Sequence, residues 1–195
     1  MITNETTLFR LLWALIAVIW IFSEIALYRR QHHTSFNIIE NVTSPEKQLW
    51  IALIFVVLSA LLLKTLRLLP LPWAYIPSQI IGITFVCIGL DLRYSAVKEL
   101  ANFFSTQLKI IQNHTIIDTG PYQVIRHPAY AGILIAFFGA GIAMGDFLSL
   151  IAILLPTFAT FRKRMIIEEN MLIKALGLPY QNYCQKTWRF IPYIY

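Results

Sequence analysis

Charge is scarce in this 195-residue chain: Lys, Arg, Asp and Glu make up only 13% of it. An average soluble domain carries roughly 25%. Hydrophobic residues reach 57%, and a soluble protein of this length has too little interior to hide that much apolar surface. A bilayer must therefore act as the remaining solvent. Cysteine is nearly absent. Cys87 lies in an apolar run and Cys184 in a polar tail, without metal-type or redox spacing, so both are expected to be packing residues and not a disulfide. Histidine is sparse too. His32, His33, His114 and His127 show neither the i, i+4 partner nor the cysteine spacing of a zinc site, and no metal is expected. A secretory signal is also missing, because the first apolar run is too long for one and no small-residue cleavage site follows it; it reads as an anchor. The net charge of +6 is not gathered into a stripe. Basic residues instead sit at the ends of apolar runs, as topology signals do, so nucleic acid is not an expected partner.

What is abundant is long apolar sequence. A spanning helix needs roughly 20 predominantly apolar residues, and residues 8–28, 49–69 and 76–92 supply three such runs. Tyr28-Arg29-Arg30 gives the first an aromatic and basic flank. Ser44-Pro45-Glu46 looks like a helix start, and Pro70, Pro72 and Pro77 mark a turn and re-entry. Residues 93–126 form the largest hydrophilic segment, the natural place for a site. Residues 129–161 are almost unbroken hydrophobic sequence, too long for one span and short for two, with Gly145-Asp146 near the middle. A tight helical hairpin is expected, its second arm running on through Arg162-Lys163-Arg164. Gly132, Ala136 and Ala140 repeat every four residues, a small-residue face that lets two helices approach closely.

The expected fold is an all-α integral membrane protein with about five transmembrane helices, the last two a hairpin, and no Rossmann domain. It is one membrane domain: residues 1–92 hold three helices, 93–128 a cytoplasmic cofactor-binding segment, 129–168 the hairpin, and 169–195 a cytoplasmic C-terminal segment. With five spans, most of the 16 basic residues fall on one side, leaving Arg10, Lys64 and Arg67 on the other. That asymmetry puts the N-terminus outside and the C-terminus in the cytoplasm. The sequons at Asn41 and Asn113 would then be cytoplasmic and unglycosylated.

Two clusters could carry chemistry. The first runs over residues 120–132, Gly-Pro-Tyr-Gln-Val-Ile-Arg-His-Pro-Ala-Tyr-Ala-Gly. Gly-Pro makes a turn, and His-Pro stops the residue before it from being helical and starts the next helix. Arg126, His127, Tyr122 and Tyr130 thus gather at a helix N-terminus whose free N–H groups suit an anion. The plainer alternative is an interfacial belt of aromatic and basic residues. In the second cluster, Arg164 and Glu168 stand at i and i+4 on one helix face. They are either a surface ion pair of small value or a site in which Arg164 grips a carboxylate and Glu168 neutralises a cation. The glycines of 139–145 look superficially like a nucleotide-cradling loop. They lie inside an apolar helical run without the required strand, so helix packing is their expected role.

Taken together, the Arg-His-Pro-x-Tyr segment, the hairpin and the Arg-x-x-x-Glu-Glu helix resemble the isoprenylcysteine carboxyl methyltransferase family. So do Gly177-Leu178-Pro179-Tyr180-Gln181-Asn182-Tyr183 and Trp188-Arg189-Phe190-Ile191-Pro192. The resemblance covers roughly residue 107 onward. It implies S-adenosyl-L-methionine as cofactor and S-adenosyl-L-homocysteine as product. By matching positions it places the cofactor against Gln107, His114, Thr115, Ile116, Ile117, Tyr122, His127, Pro128, Ala129, Tyr130 and Glu168, and Arg164 against the substrate carboxylate as the catalytic residue. The implied substrate is a lipophilic carboxylate, a prenylated cysteine or similar acid, presented from the lipid bilayer to an active site facing the cytoplasm. A carboxylate is already ionised at neutral pH, so the reaction needs no general base, only alignment and partial removal of water. Three alternatives stand beside it: a phospholipid or other small-molecule methyltransferase, a membrane sterol-type reductase using a nicotinamide cofactor, and a non-enzymatic transporter or scaffold. The last would place charges deep in a span, and the runs show none.

Overall fold

The computed structural model describes residues 2–33, 38–41, 46–101, 109–111 and 115–194. Six helices dominate: α1 (Ile2–His33), α2 (Glu46–Leu66), α3 (Tyr75–Leu100), α4 (Pro128–Met144), α5 (Phe147–Leu176) and α6 (Leu178–Lys186). Two short strands, β1 (Ile38–Asn41) and β2 (Lys109–Ile111), pair antiparallel between the helical parts. By length and composition, three helices suffice to cross a membrane, over Thr6–Arg29, Leu49–Leu66 and Tyr75–Leu100. The shorter α4 is apolar throughout; at about 1.5 Å per residue it is about 25 Å long.

The hairpin forms where the composition placed it. Gly145 ends α4 in the left-handed region, at φ 74°, which suits a residue without Cβ. Asp146 then caps α5 by accepting from Ser149 N at 3.1 Å. Its other oxygen accepts from Leu69 N at 2.8 Å. Leu71 N donates to Gly145 O and Phe147 N to Leu69 O, so the α2–α3 linker is stitched to the hairpin turn. The second arm does run on past Arg162-Lys163-Arg164, reaching Leu176.

The small-residue face of α4 meets α3 and not the hairpin's other arm. A Cβ on Gly132 would lie 2.4 Å from Gly89 O and 2.7 Å from Arg93 N; one on Gly139 would lie 2.4 Å from Gly82 O. Gly139 and Ala143, not Ala140, continue the face begun by Gly132 and Ala136. Leu53, Val56 and Ala60 of α2, Ile133, Leu134 and Phe137 of α4, and Ile153, Phe161 and Met165 of α5 form the main core.

One expected boundary moves. α3 continues to Leu100, so the hydrophilic segment begins later than residue 93. Arg93 is not a surface topology signal. Only 4% exposed, it pairs with Glu24 of α1 at 2.6 Å. α1 is also attached by Trp13 donating to Gln79 at 2.7 Å and by the Trp20 ring against Phe137 at 5.7 Å, among other contacts.

Candidate functional site

At the end of the bundle where α3 finishes and α4 starts, the His-Pro step sets the geometry. His127 precedes α4 with non-helical torsions, and Pro128 takes its first position. The backbone just before is not left bare. Arg126 N donates to Trp188 O at 2.8 Å, Trp188 N to Val124 O at 3.0 Å, and His127 N to Arg189 O at 3.2 Å. The segment after α6 thus lies as an extra strand along residues 124–127.

This pairing delivers a second arginine to a buried carboxylate. Glu169, 5% exposed, receives Arg126 Nε at 2.9 Å, His127 Nε2 at 3.1 Å, and Arg189 Nη2 at 2.6 Å. Burial alone would raise its pKa. The hydrogen bonds from His127, Arg189 and Arg126 outweigh that and hold the carboxyl far below the usual range. Arg126 also donates to the carbonyls of Cys184, at 2.9 Å, and Thr187. Three positively charged or protonatable groups around one carboxylate make a rigid floor.

The neighbouring acid does something else. Glu168 is only partly buried, and its Oε2 accepts from the Tyr130 hydroxyl at 3.0 Å. The same hydroxyl accepts from Arg164 Nε at 2.7 Å, and Arg164 is 6% exposed. The expected i, i+4 contact is therefore relayed through a tyrosine from α4. Beside it, Tyr122 and Ala129 pack with Ala96 of α3, against Leu100 and Ile117. Tyr183 donates to Tyr122 O at 2.7 Å. Burial, then the charge of Glu168, pushes the Tyr122 phenol upward, and burial does the same to Tyr180 and Tyr183. All three remain donors at neutral pH.

Of the residues nominated from sequence, Ile117, Tyr122, Pro128, Ala129, Tyr130, Arg164 and Glu168 come together at this end. Thr115 is exposed, and Ile116 partly buried, on the irregular segment leading to it. His127 is there too, with one ring nitrogen directed at Glu169. Gln107 and His114 lie outside the described residues. Sequence reasoning missed Glu169, Arg189 and Tyr183. The Glu168-Glu169 doublet was the signal for the first, but nothing in a doublet tells which acid faces inward. No group of three or more metal-ligating side chains occurs among the described residues.

The sequence model of the isoprenylcysteine carboxyl methyltransferase (ICMT) family matches residues 81–174. Protein-S-isoprenylcysteine O-methyltransferase B of Arabidopsis thaliana is 30% identical over 115 residues, 58% of this chain and 58% of that protein. The Schizosaccharomyces pombe protein-S-isoprenylcysteine O-methyltransferase is 31% identical over 118 residues, 60% of this chain and 50% of that one. A solved structure of a eukaryotic intramembrane Ras methyltransferase, an isoprenylcysteine carboxyl methyltransferase, superposes with a TM-score of 0.60 at 25% identity. That superposition covers 78% of this chain and 54% of the other. The chain spans only about half the length of the relatives it matches. With its long apolar helices and its hairpin, this multi-pass membrane protein is similar to the isoprenylcysteine carboxyl methyltransferase family over the matched segment at 81–174 and shares the fold of the solved intramembrane methyltransferase.

Proposed function

We propose that the chain transfers a methyl group from S-adenosylmethionine to the carboxylate of a lipophilic substrate, giving a methyl ester. The favoured acceptor is a C-terminal isoprenylcysteine α-carboxylate or a similar prenylcysteine-like acid. The observation that carries the proposal is the Tyr130 hydroxyl set between the Arg164 guanidinium and the Glu168 carboxylate. A cationic and an anionic side chain are thereby held apart, one hydroxyl between them, at the end of an apolar bundle. Such a pair can receive an anionic acceptor and a cationic donor side by side.

The donor set fits the cofactor. S-adenosylmethionine carries a sulfonium and an amine, for which the partly buried Glu168 is a suitable counter-charge, and an adenine ring, for which the apolar surface of Ile117, Tyr122 and Ala129 is suitable. When bound, it supplies an electrophilic methyl group and departs as S-adenosylhomocysteine. Arg164 orients the acceptor through its guanidinium, leaving one carboxylate oxygen to attack. Tyr130 fixes the torsion of Arg164 by taking its Nε proton into a hydrogen bond. No side chain needs to remove a proton, because the acceptor is ionised at neutral pH. The apolar helices exclude water, which favours a step in which opposite charges disappear.

In this reading five segments lie in the membrane, α4 and the first half of α5 being the fourth and fifth. The site opens to the cytoplasm, where most basic residues lie, and residues 115–128 and 169–190 close around the cofactor. An amine acceptor such as a phospholipid headgroup is the second reading, and the Arg164 charge disfavours an aminium there. The deciding experiment is calorimetric binding of S-adenosylhomocysteine to the purified protein, followed by methyl transfer to a prenylcysteine analogue. Absence of binding refutes the cofactor assignment; transfer to lipid amines and none to the acid refutes the acceptor.

A further inference from the structure

Glu24 and Arg93 form a two-point ion pair inside the apolar bundle. Arg93 Nε meets Glu24 Oε1 at 2.6 Å and Nη2 meets Oε2 at 2.7 Å. Trp20 Nε1 also donates to Glu24, at 3.1 Å, so the carboxylate orientation is set from its own helix. Next to the pair, the hydroxyls of Ser23 and Tyr94 share a hydrogen bond. The remaining Arg93 nitrogen, Nη1, points to Ala129 O at 3.4 Å. Ala129 precedes Tyr130 and packs on Tyr122.

Stability does not account for this arrangement. Replacing a buried ion pair by apolar residues of similar volume is often neutral or stabilising, and ionisable groups within spans more often mark function. The position points to what the pair does. α4 rides directly on Arg93, with no room for even a methyl group between Gly132 and the Arg93 backbone. The guanidinium donates to the carbonyl in the first turn of that helix.

We infer that Arg93, oriented by Glu24, is a positioning residue that fixes the first turn of α4 and so the Arg164–Tyr130–Glu168 relay. α1, which lies outside the matched segment 81–174, thereby helps to set the site. The inference rests on the methyltransferase reading for its catalytic consequence, but its structural content stands apart from it.

The test is the double variant Glu24→Leu with Arg93→Met, purified in detergent and compared with the parent. The expected result is a melting temperature no lower than the parent's, with kcat for methyl transfer down by at least about tenfold, as small misplacements of reacting groups produce. A stable variant with parental kcat overturns the inference. Should the double variant not fold, Arg93→Lys keeps the charge opposite Glu24 and loses the fork. It should melt near the parent temperature with reduced kcat, and full activity there also overturns the inference. Amide exchange of residues 129–132 provides a readout independent of chemistry. It should quicken in either variant even if the parent methylates nothing, a result that would sink the methyltransferase reading and leave the positioning role standing. Unchanged exchange overturns the positioning role by itself.

Discussion

Tyr130→Phe is the most informative single change, because it removes one oxygen and keeps the ring that stacks between His127 and Phe161 at 5.7 and 5.0 Å. Two hydrogen bonds disappear, and they are not equivalent. Arg164 is 6% exposed, so water cannot freely replace the hydroxyl at its Nε, and a hydrogen bond to a charged group is worth about 1.5–3 kcal/mol. Glu168 is partly exposed, and water can take the vacated place at little cost. The asymmetry gives a specific expectation. If the full Arg164 term is felt in the transition state, kcat should fall about 10- to 150-fold. Affinity for S-adenosylhomocysteine, which the proposed function assigns to Glu168, should stay within about threefold. Both are measured on one detergent preparation, by transfer of labelled methyl to a prenylcysteine analogue and by calorimetry, with cofactor affinity doubling as the folding control. A kcat within about twofold of the parent would refute the idea that the hydroxyl holds Arg164. Parallel loss of cofactor affinity would instead place the hydroxyl in the cofactor site.

Four further outcomes are expected. Glu168→Gln should weaken S-adenosylhomocysteine binding by at least about tenfold, or about 1.4 kcal/mol, in the same calorimeter; unchanged affinity removes Glu168 from the cofactor site. Glu169 has a depressed folded-state pKa, so its stabilising contribution is complete above about pH 4.5, its ordinary value, and drains away as the pH falls below that toward the folded value. Melting temperatures recorded downward from pH 6 should show this slope in the parent and a weaker one in Glu169→Gln, which should also melt lower at neutral pH. Gly132→Ala forces the α3 and α4 backbones apart and should cost about 1–3 kcal/mol, whereas Gly145→Ala meets no neighbour within 4 Å and suffers only from its φ of 74°, about 1–2 kcal/mol. Chemical denaturation compares the two. For topology, single cysteines at the exposed Phe147 and Lys186, in a background lacking Cys87 and Cys184, should react with an impermeant reagent from opposite sides of the membrane; labelling from one side would mean that the hairpin does not cross.

The hairpin was legible because it is a local matter: an apolar stretch of fixed length, a glycine able to adopt positive φ, and an aspartate able to cap. Nor did the continuation of α5 through Arg162 to Arg164 need any distant partner. What sequence could not convey was partnership across the fold. Arg93 resembles any basic residue at the end of an apolar run, and its partner lies 69 residues away on α1. The spacing of Arg164 and Glu168 correctly put both on one face, yet could not show that Tyr130 from another helix stands between them. The small-residue stripe announced close packing and left open whether α3 or α5 would use it. Glu169 was hidden by its neighbour, since a 100° turn of helix separates a buried acid from an accessible one and both read the same in a doublet.

The strand-like seating of residues 187–190 bears on how the protein is made. Trp188 and Arg189 supply backbone acceptors to Arg126 and His127, and Arg189 completes the shell of Glu169. All of the apolar helices leave the ribosome before these residues do. Insertion into the bilayer and completion of the site are therefore separate events in the life of the chain. A nascent protein with the helices up to α5 in place still lacks the clasp that orders the Arg-His step. A chain cut short after α6 would keep the helices described above and lack the segment that pairs with the Arg-His step and completes the shell of Glu169.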